Sequence, residues 1–400
     1  MNRRGLWIWM LILCLMTAAG RAESLTLRTV SCFGGTDPAA EAYLSILQEY
    51  ESETGNRVAD ASSPSNESWK TSVLTDFAAG NEPDVLFFFA ACADSAPLLK
   101  RVVPIREINE AYPSLRLPES AALKEGDGLV YAIPARGYWE GLFLRTDLFE
   151  EAGAPLPADW DSLMEAIRVF REKGIVPIAV SLSDIPHYLA EMALLACADA
   201  EEQQARPSSP EEVPESWIRA MAVIRELYEA GAFPDDALAT DDSAVLELFT
   251  GGKAAMRMDG SWLADSLPAG MMDILQVVPM PRRDGRGTAD AYIGGTSMGF
   301  YLTRKAWSND LRRDAAVKLL AALTDGDNLR RLNNSAVAGS LLTSLEDMEK
   351  GRAVLSPLQD AMNRAARERW LLDCLPAAAE GSMTPEECWN QVMSLNPFGE

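Results

Sequence analysis

Between Leu25 and Phe89, short apolar runs alternate with amphipathic stretches, and this alternation constrains the fold more than any other feature of the chain. Leu25 to Val30 reads as a strand. Tyr43, Ile46, Leu47 and Tyr50 then recur at helical spacing before Gly55, a natural stop. A second strand near Val58 precedes a stripe of Trp69, Val73 and Phe77, closed by Gly80, and Val85 to Phe89 is a continuous apolar run. Strand, helix, strand, helix, strand predicts a parallel sheet covered on both faces, because strands buried on both sides lose the polar–apolar alternation of a half-exposed sheet. With 400 residues the chain has enough length for two cores of ordinary size.

The second half repeats the pattern with different punctuation. A helix is expected from Trp160 to Lys173, with Asp159 as N-cap and Gly174 at its end, followed by a strand over Val176 to Ser181. The charged, proline-rich segment after Asp199 reads as a solvated loop. Helices follow at Trp217 to Ala230 and Val245 to Phe249. Ala254 to Met258 reads as a strand, Asp259-Gly260 as a turn that uses the φ freedom of glycine, and Ser261 as a helix cap just before Trp262. That places a large aromatic at the carboxyl end of a strand, the edge at which open α/β sheets bind ligands. The competing reading is a core tryptophan.

The N-terminus has Arg3 and Arg4, an apolar run from Leu6 to Met16 and small residues to Ala22, the layout of a secretory signal with cleavage after Ala22. The run is shorter than a spanning helix, and a retained anchor is the alternative. Removing residues 1–22 lowers the formal charge from −23 to −26, a field that repels nucleic acid and anionic membranes. Five cysteines remain, Cys32, Cys92, Cys197, Cys374 and Cys388, without CxxC spacing. Neither a zinc site nor a disulfide framework is indicated, although Cys374 and Cys388 could pair. Phosphate loops and haem-attachment patterns are absent, and no cofactor is expected.

Several phrases, in order, resemble the family 1 extracellular solute-binding proteins, the capture subunits of ABC importers. They are NEPD (81–84), GLVYAIP (128–134), GLFLRTDLF (141–149), PADWDSL (157–163), KGIVPIAVS (173–181), GGKAAMRMDGSW (251–262) and YIGGTSMGFYL (292–302). In PADWDSL the cap residue survives, but the family's full capping box is not expected. The resemblance covers most of residues 25–395. It implies an α/β, two-lobed periplasmic-binding-protein fold with a hinge between the lobes. One lobe would comprise 23–133 and 281–325, and the other 134–280 and 326–400, after a signal peptide at 1–22. It further implies a monomer in the periplasm or at the cell surface, with a small carbohydrate as ligand and permease subunits as partners. Cys14 follows Leu13 in mid-run, which does not match the lipoprotein pattern of many relatives.

The family's tryptophan commonly stacks on a sugar ring, so the resemblance makes Trp262 a ligand platform. Tyr138, Trp139 and Glu140 follow the interlobe crossing, and two aromatics beside a carboxylate suit a sugar with its C–H faces and hydroxyls. In the first lobe Phe88 or Phe89 could offer an aromatic face and Asp94 a hydrogen bond, with Phe33 a weaker candidate. Trp370 falls where relatives add a further aromatic, with core packing as the competing reading, and His187 follows the Val176 strand on the cleft side, with a packed or surface histidine as its alternative. Two other readings stay open: an exported carbohydrate-active hydrolase, or a binding protein that reports to a sensor receptor. Gly295 to Gly299 satisfies GxSxG, but the single histidine, His187, lies upstream of Ser297, whereas hydrolases with that elbow place it downstream.

Overall fold

The computed structural model describes residues 24–35, 37–65, 67–92, 94–184, 186–268, 270–288, 291–333 and 354–399. The signal expected at 1–22 lies outside the described residues. Among the described residues nine strands form one sheet: β1 (Thr26–Val30), β2 (Arg57–Asp60), β3 (Val85–Phe89), β4 (Ala132–Arg145), β5 (Val176–Ala179), β6 (Ala254–Gly260), β7 (Leu275–Val278), β8 (Tyr292–Leu302) and β9 (Val354–Leu355). The order is β2-β1-β3-β8-β4-β6-β5, with β7 beside β4 and β9 beside β8. β1 is parallel to β2 and β3, and β5 is parallel to β6, while β3–β8, β8–β4 and β4–β6 are antiparallel. The expected strand–helix alternation therefore supplies the outer strands, and two long antiparallel strands join them.

Buried side chains separate into two main clusters. The first gathers residues between Leu27 and Ala135 with Met298 to Leu332, and the second gathers Leu142 to Met280 with Leu358 to Met393. Phe87, one of the VLFFF run, packs against Phe33 and Phe300 at ring separations of 4.5 and 4.9 Å, respectively. Aromatic area of this size dominates the first core. The helix Gly326–Leu332, assigned by sequence to the second lobe, packs with the first core instead: Leu332 is buried there and Arg331 pairs with Glu49 at 2.9 Å.

β4 and β8 run from one core to the other as a paired ribbon. Their register shifts twice, between Pro134 and Arg136 and between Arg136 and Gly137, at the point where the crossing was expected. Irregular pairing bends and twists a strand, so the change of direction is concentrated there. Just beyond it, opposite Trp139 and Tyr138, Gly294 and Gly295 have φ of 152° and 138°, and a Cβ on Gly294 would collide with the Tyr138 carbonyl. Arg136 is tied to Asp37 at 2.8 Å, across the first core's edge of the ribbon.

Helix boundaries follow local chemistry closely. The helix Ala40–Thr54 ends at Gly55 with φ 73°, and the helix Glu67–Ala79 carries buried Trp69, Val73 and Phe77. The helix Trp160–Glu172 does have a full capping box, contrary to expectation: Asp159 accepts from the Ser162 amide, and the Ser162 hydroxyl accepts from the Asp159 amide. Serine completes the reciprocal pair that a longer acid usually supplies. All five described cysteines are free thiols, with Cys374 and Cys388 buried beside one another.

Candidate ligand-binding cleft

Trp262 sits in the 3-10 turn Ser261–Ser266 directly after β6 and is 40% exposed. Asp259 and Gly260 belong to the strand and do not form the expected turn. Asp259 is buried and pairs with Arg257 at 2.6 Å, and Arg257 also holds Asp242 at 2.8 Å. Gly260 is needed for a reason other than backbone freedom: a Cβ there would lie inside the Trp262 ring, well under 3.0 Å. The indole is thus laid across the Cα of Gly260, and it contacts Tyr138 and Tyr188 at ring separations of 5.7 and 5.8 Å.

Gly260 pairs with Glu140 of β4, so the Glu140 side chain rises from the sheet beside that indole. Tyr138, two residues earlier, shares its face. Glu140 is 3% exposed, and its Oε2 has no hydrogen-bond partner among the described residues. Burial first, then the negative charges of Glu191, Asp360 and Asp259, push its carboxyl well above the usual range. Glu191 comes from the helix His187–Cys197 and is fully buried, and its oxygens accept from the amides of Leu358 and Gln359 at 3.0 and 2.9 Å. Burial raises it to about 8 in spite of those two bonds.

The opposite wall is charged. Lys70, on the helix Glu67–Ala79, donates to Asp94 at 3.1 Å and lies 5.1 Å from the centre of the Phe89 ring. Asp94 follows β3 in the first core's part of the chain. Its other oxygen is 3.8 Å from Arg367, on the helix Arg364–Glu368 of the second core's part, so this acid links the two sides. Asp360 is raised to about 6 by burial, against the pull of Arg367 and Lys70 and with the push of Asp94. His187 is half-buried. Desolvation, with Arg367 and Lys70 nearby, holds it down to about 3, so the imidazole is neutral at physiological pH.

Of the residues singled out by sequence, Trp262, Tyr138, Glu140, Asp94 and His187 come together around this cleft. Three do not. Trp139 is 1% exposed and stacks on Phe143 at 5.7 Å in a small core cluster, because it points to the face of β4 opposite Tyr138 and Glu140. Phe88 is fully buried against Trp69 at 5.3 Å, and Phe89 is the residue of that pair at the cleft edge. Trp370 is buried against Trp389 at 5.3 Å, within the π-helix Arg369–Cys374. Phe33 likewise lies in the first core, with Arg136 over its ring at 4.6 Å.

Tyr188, Lys70, Asp360 and Arg367 were not anticipated. Tyr188 directly follows His187, and Arg367 precedes Trp370 by one helical turn, so both were within reach of the sequence; Lys70 and Asp360 carried no signal. The GTSMG segment runs inside β8, with the Ser297 carbonyl accepting from the Ala90 amide, and so lacks the strand–turn–helix geometry of a nucleophile elbow. No group of acids, histidines or thiols among the described residues has metal-holding geometry. No helix among them is long and apolar enough to cross a membrane.

A family model described as bacterial extracellular solute-binding protein matches residues 45–356. No curated protein matches the chain by sequence. Solved structures with the same architecture include one from a study of xylan utilisation by the thermophilic bacterium Caldanaerobius polysaccharolyticus. It is 20% identical with a TM-score of 0.74, covering 92% of this chain and 99% of that one. A chitin oligosaccharide binding protein is 19% identical with a TM-score of 0.74, covering 93% and 98%. The GacH receptor of Streptomyces glaucescens, solved without ligand and with acarbose, is 18% identical with a TM-score of 0.70, covering 93% and 97%.

Proposed function

Because this chain belongs to the bacterial extracellular solute-binding family, we propose that it captures a carbohydrate outside the cytoplasm and delivers it to the permease of an ABC importer. The observation that carries the reading is the exposed Trp262 ring, seated on Gly260 between two tyrosines and beside the carboxyl of Glu140. An apolar ring face beside hydrogen-bonding acids matches a sugar, which presents C–H groups on its faces and hydroxyls at its rim. The names of structurally similar proteins, which include a chitin oligosaccharide binding protein and a receptor solved with acarbose, support the same ligand class.

The mechanism proposed is a monomeric clamp. Lobes built on the two cores hinge at the irregular stretch of the β4–β8 ribbon, where a few residues can absorb the change in φ and ψ. Ligand held by Trp262 and Tyr138 on one side would meet Phe89 and Asp94 on the other only in the closed form, so binding shifts the population towards closure. The permease would then read the closed form.

A thermal-shift screen tests the reading, using protein recovered from the native envelope and expected to begin at Glu23. Mono- and oligosaccharides, amino acids and polyamines form the panel. A carbohydrate at 100 times its Kd should stabilise the protein by about 2.7 kcal/mol. Stabilisation by amino acids or polyamines alone, or turnover of a glycoside, would overturn it.

A further inference from the structure

The cleft's charges do not cancel evenly. On the Asp94 side two cations, Lys70 and Arg367, face two acids, Asp94 and Asp360, and the ion pairs at 3.1 and 3.8 Å already engage them. On the Trp262 side Glu191 is satisfied by two backbone amides. Glu140 is left, buried with one oxygen unpartnered among the described residues. A buried acceptor without a donor is costly, and native proteins keep such groups sparingly.

The side chain of Glu140 rises next to the Trp262 indole, and Tyr138 and Tyr188 flank the same indole. Three electron-rich ring systems grouped beside a carboxyl form an arrangement suited to a positively charged group. Ring faces attract a cation through their quadrupole, and a carboxylate adds a charge-assisted hydrogen bond. A neutral hydroxyl would use the hydrogen bond but gain nothing from the grouping of rings.

We propose that the ligand bears a protonated amine, seated against Trp262 and hydrogen-bonded to Glu140, so that the cleft selects an amino sugar over its neutral or N-acylated counterpart. This inference rests on the carbohydrate reading above and narrows it. Lys70 and Arg367 do not oppose it, since both are already engaged by Asp94, at 3.1 and 3.8 Å, with Asp360 adding a further negative charge beside them. Without ligand, burial and the surrounding acids Glu191, Asp360 and Asp259 keep Glu140 protonated, while Tyr138 and Tyr188 are both held uncharged by burial. An arriving ammonium favours the ionised carboxylate, and the Glu140 proton passes to the buffer.

The experiment is isothermal titration with two oligosaccharides of equal length, one of glucosamine and one of N-acetylglucosamine, at pH 6 in buffers of different ionisation enthalpy. The glucosamine oligomer should bind about tenfold or more tightly, with close to one proton released, and the N-acetylated oligomer should release none. Glu140→Gln should bring the ratio of the two affinities towards one. Equal affinities, or a preference for the N-acetylated oligomer, overturn the amine while leaving the carbohydrate reading intact. Binding of neither oligomer, alongside stabilisation by neutral sugars in the thermal screen, also overturns the amine alone; failure of every sugar in that screen overturns both.

Discussion

Gly260→Ala should weaken ligand binding without touching the ligand. Gly260 is not among the glycines with positive φ, so alanine suits its backbone, and the obstacle is the Trp262 ring lying across its Cα. The new methyl would fall well under 3.0 Å from three ring atoms, and the indole must withdraw by at least about 1 Å to reach ordinary carbon contact. With 40% of the residue exposed, the ring has solvent to move into. An off-rotamer side chain costs about 0.5–1.5 kcal/mol, and alanine in place of glycine returns about 0.4–1 kcal/mol through the unfolded chain, so stability should change by about 1 kcal/mol or less. Binding has no such compensation. Loss of an aromatic platform costs about 1–3 kcal/mol, equivalent to an increase in Kd of about 5- to 150-fold. Titration calorimetry with the ligand found by screening, alongside urea unfolding, measures both. The double variant Gly260→Ala/Trp262→Ala should bind no worse than Trp262→Ala alone, because the methyl acts only through the indole. A loss of several kcal/mol in stability with unchanged Kd would show that the backbone, not the ring, yields, and would refute the argument.

Saturating ligand should lower the radius of gyration measured by small-angle scattering, and Arg367→Ala, which removes the link to Asp94, should enlarge the unliganded particle; an unchanged radius with binding confirmed in the same sample would favour a preformed pocket. Asp360, raised to about 6 when folded, binds its proton more tightly than in the unfolded chain, where a value of about 3.9 applies. Its contribution is therefore complete below about pH 4 and declines as pH rises to about 6, so the stability of the wild type relative to Asp360→Asn should fall across that window in urea titrations; a flat or rising difference would contradict the burial argument.

The strands and most helices were legible because they rest on local patterns: the apolar run of β3, the Gly55 stop, and the eleven residues of β8 read as one segment. Two of the errors in the site are errors of one residue. Phe88 and Phe89 look alike in sequence, as do the aromatics Tyr138 and Trp139, but adjacent strand residues face opposite sides and only one of each pair reaches the cleft. Trp262 does follow the carboxyl end of β6, but Gly260 beside it serves close approach and not the expected turn. Lys70, Asp360 and Arg367 stayed hidden because each comes from a separate element, and what brings them together is tertiary structure. The helix Gly326–Leu332 was misplaced for a related reason: its pairing with Glu49 spans 282 positions of sequence.

The position of β8 also bears on how the molecule is made. β3 lies between β1 and β8, so its outer edge and the Phe87 side chain are covered only when β8 arrives; the Tyr301 hydroxyl meets the Phe89 carbonyl across 212 positions of sequence. Everything that builds the second core's sheet up to β7 lies in between. During synthesis the first core is therefore incomplete until about three quarters of the chain exists, and its most apolar strand waits with an open edge. Non-local pairing of this kind slows folding and lengthens exposure to aggregation. For a chain threaded through an export channel before it folds, the same delay is useful, since the amino-terminal core cannot close prematurely and obstruct passage.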